Sequence, residues 1–253
     1  MPTKKEKLEL RTRSLFTNRS LELGIFKKYL SGDTSYDLLH VFGLAGIGKT
    51  ALLEVFSSIC DNEGIPSIRA SVGDQVMPAQ LIRLIYEQLT QKGWLMLPLL
   101  EQQLKRFEQI DQRVRSDNNL PFDLLSVLFT GEISFKRGER GTEQTMQYLI
   151  QAMGVADTNF YLNPTEQFTD SLLRDLKNIS HEKKICLMFD RYERISPYLH
   201  EWIRNSLFPR LQDNILVVTS GRQTLPDEWM EWAPVICNLE LKPLSNTDTK
   251  NLV

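Results

Sequence analysis

The chain has 253 residues, with 30 Lys plus Arg against 32 Asp plus Glu and a formal net charge of -2. That balance excludes a polybasic nucleic-acid or membrane-surface module, and 42% hydrophobic with 25% charged residues exclude wholesale disorder. Apolar runs fall short of the ~20 residues of a membrane span, no apolar signal core follows Met1 to Lys7, and Cys60, Cys186 and Cys237 lack metal or redox spacing, so a cytoplasmic globular protein with no membrane partner is expected.

In chain order, the first predicted element is a helix over residues 20–30, with Thr17 or Asn18 as its candidate N-cap. Leu38-Leu39-His40-Val41-Phe42 is short, apolar and rich in β-formers, as a buried parallel strand should be. It runs into Gly43-Leu44-Ala45-Gly46-Ile47-Gly48-Lys49-Thr50, a full match to G-x-x-x-x-G-K-[ST]. Behind it Leu52, Leu53, Val55, Phe56 and Ile59 recur at helical spacing until Gly64. Strand, glycine turn and helix together form a phosphate-binding loop. The glycines let backbone N–H groups from Gly43 through Ala51 curl around a phosphate chain, and the helix N-terminus adds its positive end. Lys49 is expected to neutralise β and γ phosphates, and the Thr50 hydroxyl to ligate Mg²⁺.

Residues 65–70 read as a second strand and 79–90 as a helix. The stretch 91–164 is too long for a plain connection, so it is expected to be a helical insertion with its own structure. Leu100, Leu104, Phe107, Ile110 or Asp111, and Val114 fall near helical spacing, either lying on the domain or meeting a partner. Residues 120–135 suit a packed helix too short for a bilayer, and residues 136–141 a solvated mobile loop. A helix over 168–179 leads to Ile185-Cys186-Leu187-Met188-Phe189, which ends at Asp190. An Asp at the carboxyl end of a buried parallel strand sits where ligands bind, so Asp190 is expected to hold Mg²⁺ through water, a helix N-cap being its other reading. Glu193 is the candidate base for a water in line with the γ phosphate, or else an exposed first-turn acid. After a helix over 198–207, Ile215 to Thr219 forms another strand, and Arg222 behind Gly221 is a candidate sensor of the γ phosphate or a surface arginine paired with a carboxylate. Residues 235–241 close the set. Alternating strands and helices predict an α/β fold: a three-layer P-loop nucleoside-triphosphatase with a five-stranded parallel sheet. The four tryptophans are expected to fill core and surface clefts, and His40, His181 and His200 to be structural or solvated.

The ordered set of motifs resembles the nucleotide-binding domain of the signal-transduction ATPases with numerous domains, an AAA+-like branch. Phe16-Thr17-Asn18-Arg19-Ser20-Leu21-Glu22-Leu23 is similar to that family's adenine-side "F-x-G-R-x-x-E-L", with Asn18 in place of Gly. The Gly43 to Thr50 loop, Asp190-Arg191-Tyr192-Glu193 and Thr219-Ser220-Gly221-Arg222 follow in the family's order, over nearly the whole chain. The resemblance implies that Phe16 and Arg19 also face the nucleotide, with ATP or ADP and Mg²⁺ as ligands. It implies a slowly hydrolysing switch whose nucleotide state sets its association with other domains, protein partners or further copies of itself. Residues 1–36 would be the N-terminal segment and helix, and 243–253 the start of a truncated lid, with Ser245 to Asp248 in capping-box spacing. An excised domain or a minimal member is expected on that reading. The alternatives are an AAA+-type motor or loader acting on DNA or protein, and a non-hydrolysing domain holding ADP structurally.

Overall fold

Five short runs form strands β1 (Leu38–Phe42), β2 (Ser67–Ser71), β3 (Ile185–Asp190), β4 (Ile215–Gly221) and β5 (Ile236–Glu240). They pair into one all-parallel sheet in the order β2-β3-β4-β1-β5. The computed structural model describes residues 19–91, 93–116, 140–180 and 183–243. Phe16, the candidate caps Thr17 and Asn18, the segment 120–135, His181 and the capping box at Ser245 all lie outside the described residues. The chain divides into two compact units, one of Met1–Gly73, Glu182–Ile195 and Gln212–Val253, the other of Asp74–His181 and Ser196–Leu211.

The first unit carries the sheet with α1 (Ser20–Ser31) and α2 (Lys49–Asn62). One face of the sheet, from Leu39, Val41, Cys186, Met188, Leu216 and Val218, joins Phe26, Tyr29 and Leu30 of α1 and Leu52, Leu53 and Phe56 of α2 in a single core. Phe26 stacks on Phe56 with ring centroids 3.9 Å apart, which fixes the two helices against each other. The alternate residues Leu38, Leu187, Phe189 and Val217 are equally buried, so these strands are dry on both faces and read as unbroken apolar runs. β2 starts at Ser67, two residues later than the hydrophobic pattern suggests. Pro66 has no N–H to give and contributes only its carbonyl, which accepts from Cys186 N–H at 2.8 Å.

Tyr29 shows how α1 is tied to the sheet. Its hydroxyl accepts from Val217 N–H at 2.9 Å and donates to the Asp37 carbonyl, serving β4 just where β1 has not yet begun. Burial pushes the phenol well above its ordinary value, so it stays a donor at any working pH. Cys60 and Cys186 are buried free thiols, core fillers as their sequence context suggests, and Cys237 is half-buried.

The second unit is helical: α3 (Pro78–Gln91), α4 (Pro98–Ser116), α5 (Arg140–Leu162), α6 (Thr165–Ser180) and α7 (Pro197–Trp202), which continues into a π turn over Ile203–Leu207. Phe107 of α4 packs edge-on against Phe160 and Phe168 and stacks on Tyr161, so aromatic rings join α4, α5 and α6. α5 is kinked at Gly154, whose φ of 82° leaves the helical region. Arg140 and Gly141 belong to α5, not to the solvated loop that glycine punctuation suggested. A glycine in a helix costs only about 1 kcal/mol, which the packing of a 23-residue helix outweighs. Trp202 is buried and donates from its indole N–H to Thr169 at 3.0 Å, while Trp94 and Trp232 stay half-buried. Among the described residues no helix is long and apolar enough to cross a membrane.

One contact in this unit yields a stability prediction. The N-terminus of α4 has no side-chain cap of its own sequence; the buried carboxylate of Asp175, on α6, accepts from Leu100 N–H at 2.9 Å and Leu99 N–H at 3.3 Å. Asp175→Ala removes that partner from helix-end N–H groups that have no intrahelical acceptor. A loss of about 1–3 kcal/mol in urea unfolding is expected, with the slope m unchanged.

Candidate functional site

The site grows from the carboxyl ends of β1, β3 and β4, all in the first unit. β1 ends in Phe42, and Gly43 turns out of the sheet with φ 154°, its N–H still bonded to the Gly221 carbonyl at 3.3 Å. A Cβ on Gly43 would lie 2.6 Å from the Leu241 carbonyl oxygen, so only glycine fits between β4 and the end of β5. Gly48, with φ 101°, is the left-handed N-cap from which α2 begins at Lys49. The N–H groups opening α2 therefore face outward without intrahelical partners and carry the positive end of the helix.

Lys49 folds back over its own loop and donates to the carbonyls of Gly43 at 2.8 Å and Leu44 at 2.9 Å. Burial pushes its ammonium below the ordinary lysine value; Glu193 opposes that shift and Arg222 adds to it. Thr50, next along α2, donates its hydroxyl to Asp190 Oδ2 at 2.7 Å, closing a gap of 140 residues in sequence. Asp190 ends β3, is 5% exposed, and is held on its other oxygen by Ser220 Oγ and by the Arg191 N–H at 2.9 Å. It does not cap an α-helix, since the short 3-10 turn starts beyond it at Tyr192. Glu193 lies in that turn and pairs with Arg222 across 3.2 Å, so the candidate base and the candidate sensor are ion partners.

These groups line an open cleft of about 470 Å³ with Ala45, Gly46, Gly48, Lys49, Thr50 and Ala51 on one side and Asp190, Glu193 and Arg222 on the other. Gly43, Leu44 and Ile47 complete the loop, with Leu44 exposed and Ile47 packed on the core. Arg19 is elsewhere. It is buried, paired with Glu22 at 3.0 Å, and donates to the Lys242 carbonyl at 2.7 Å, tying α1 to the chain beyond β5.

No family model matches the chain. Nor does any curated protein match it with significance. Four cationic side chains, Lys49, Arg191, Arg194 and Arg222, line the cleft with two carboxylates, Asp190 and Glu193. That excess, an outward-facing helix N-terminus and glycine-opened backbone suit an anion with several phosphates. Among the described residues no cluster of three or more His, Cys, Asp or Glu offers a cation a ready-made cage. Thr50 and Asp190 alone suit Mg²⁺, which takes one or two protein ligands and completes its shell with phosphate and water.

Sequence reasoning missed three participants. Arg191 and Arg194 line the cleft, and Arg191 holds φ 61°, a left-handed conformation costly for a non-glycine residue and characteristic of functional turns. Ser220 stands in the sequence only within the motif that leads to Arg222; Phe189 pairs with Thr219 in the sheet, so Asp190 and Ser220 lie side by side near the ends of neighbouring strands. A small hydroxyl at the end of the strand beside the acidic one is the signal that could have found it. His40, expected to be structural or solvated, is structural: it is buried in β1 with both ring nitrogens in hydrogen bonds.

Proposed function

We propose that this chain is a P-loop nucleotide-binding domain that takes Mg·ATP or ADP in the cleft above β1, β3 and β4 and hydrolyses ATP slowly. The observation that carries this reading is the Thr50 to Asp190 hydrogen bond beside Lys49, since it joins a hydroxyl from the first turn of α2 and a carboxylate from the end of β3 into a pair suited to a cation. The loop N–H groups and Lys49 would hold the phosphates, and Arg222 would meet the terminal one. Thr50 and Asp190 would hold Mg²⁺, which when bound neutralises phosphate charge. Glu193 would accept the proton of the attacking water at its carboxylate, once Arg222 leaves it for the phosphate. Supporting a switch is this same pair: Arg222 cannot serve both Glu193 and a γ phosphate fully, so the triphosphate and diphosphate states would differ at the end of β4. On this reading the domain belongs to a larger signalling assembly, of the kind the signal-transduction ATPases form, and reports its nucleotide to neighbouring domains or copies.

The test is the Mg²⁺ dependence of ATP affinity in the wild type and in Thr50→Val, which keeps the shape and removes the hydroxyl. In the wild type Mg²⁺ should strengthen ATP binding, and in the variant most of that gain should vanish. A variant in which Mg²⁺ helps as much as before would show that the Thr50–Asp190 pair is not the cation's seat.

A further inference from the structure

His40 is the one polar residue in the middle of β1, 1% exposed, on a strand otherwise built of Leu, Val and Phe. Burying an imidazole there costs free energy unless both ring nitrogens are satisfied, and they are. Nε2 lies 2.8 Å from the Gln223 carbonyl and Nδ1 lies 2.7 Å from Thr219 Oγ1. A carbonyl can only accept, so Nε2 carries the proton, and Nδ1 accepts from the Thr219 hydroxyl in the neutral ring. Burial lowers the imidazole below its ordinary value, which keeps it neutral.

The two anchors bracket a short segment that contains two site residues. Thr219 and Gln223 enclose Ser220, which holds Asp190, and Arg222, which pairs with Glu193. Between them Gly221 leaves room for the ring, since a Cβ there would lie 3.1 Å from His40 Cε1. The register agrees: His40 is paired with Thr219 in the sheet, and Phe42 with Gly221, so the ring reaches along β4 toward the turn beyond it. A leucine would fill the same volume and serve the core equally well. What it would not do is donate to the Gln223 carbonyl on the far side of Arg222.

We propose that His40 is a positioning residue for the response of this site to a terminal phosphate: it locks residues 219–223 so that Arg222 stands at the cleft. This rests on the nucleotide reading above. The loop meets this segment through the Gly43 N–H to Gly221 carbonyl bond of the sheet, and Lys49 rests on the loop's own carbonyls, so a diphosphate should bind nearly as well without the lock, whereas a triphosphate, which would meet Arg222, should feel its loss.

The experiment measures ATP and ADP affinity, and kcat and KM for ATP, in the wild type, His40→Leu, His40→Gln and Thr219→Val. In His40→Leu, ADP affinity should stay within about twofold while ATP affinity falls about tenfold and kcat falls with it, the scale of one hydrogen bond that positions a charged group. His40→Gln, whose amide can donate to Gln223 and accept from Thr219, should recover most of the difference. Thr219→Val keeps the fold's volume and breaks one anchor only, so it should move ATP alone and by less; it also serves if His40→Leu does not fold. An ATP-to-ADP ratio unchanged in His40→Leu, or in Thr219→Val should the former not fold, overturns the inference and leaves the nucleotide site standing. A loss of ATP and ADP affinity in equal measure, not recovered by glutamine, also overturns it, because His40 would then be packing alone. A wild type that binds neither nucleotide sinks the underlying reading instead.

Discussion

Lys49→Ala is expected to weaken binding of Mg·ATP and of ADP by about 100-fold or more, measured by titration calorimetry, while the thermal unfolding midpoint barely moves. The expectation follows from how the ammonium is held. Lys49 Nζ rests on the Gly43 and Leu44 carbonyls, partly shielded from water, while Glu193 and Asp190 act on it through their charge. Those carbonyls lie at the surface of an open cleft and can turn to water when the side chain is removed, so the cost in stability is small. A phosphate arriving in the cleft loses the charge-assisted bonds that lysine would have made. At about 1.4 kcal/mol per tenfold, a 100-fold loss is ~2.8 kcal/mol, within the ~1.5–3 kcal/mol of hydrogen bonds to charged groups. Unchanged affinity would mean that the loop is a turn with an incidental lysine.

The second large effect is on turnover. Glu193→Gln keeps the size of the side chain and its ability to accept from Arg222 through the amide oxygen, but it cannot take up a proton. Nucleotide affinity should therefore stay near that of the wild type, and kcat for ATP should fall by about 10²–10⁴, the usual effect of a missing general base. The Arg222 contact sharpens the test. Because Glu193 and Arg222 are 3.2 Å apart, Arg222→Ala frees the carboxylate while removing the terminal-phosphate contact. The two variants should separate, one losing turnover with binding kept, the other losing preference for ATP over ADP. A Glu193→Gln enzyme with undiminished turnover would move the search to another carboxylate.

The sheet was legible because parallel strands buried on both faces are short, mostly apolar runs, and Leu38 to Phe42 (His40 apart), Ile185 to Phe189 and Ile215 to Val218 are such runs. The ends of those runs then pointed to Asp190, Glu193 and Arg222, since side chains at the carboxyl ends of parallel strands converge on one crevice. What was not legible depends on register and on long-range contacts. Ser220 acquires its meaning only when β4 lies beside β3, and His40 only when Gln223, 183 residues later, comes within 2.8 Å. The need for glycine at position 43 could be read from the loop pattern, but its steric cause, the Leu241 carbonyl, comes from just beyond β5, far later in the chain. Arg19 illustrates the opposite case: a residue singled out by resemblance is buried against Glu22 and the Lys242 carbonyl, so its first visible task is to fasten α1. In the helical unit, Arg140 and Gly141 looked like loop because local composition outweighed the packing of the long helix that they begin.

The most direct measurement is to strip the purified protein of any bound small molecule, confirm that it remains folded, and titrate it with ATP and ADP with and without Mg²⁺. One nucleotide per chain, bound more tightly with Mg²⁺ than in its absence, is the predicted result. A folded chain that binds neither ATP nor ADP at millimolar concentration would contradict the account at its root.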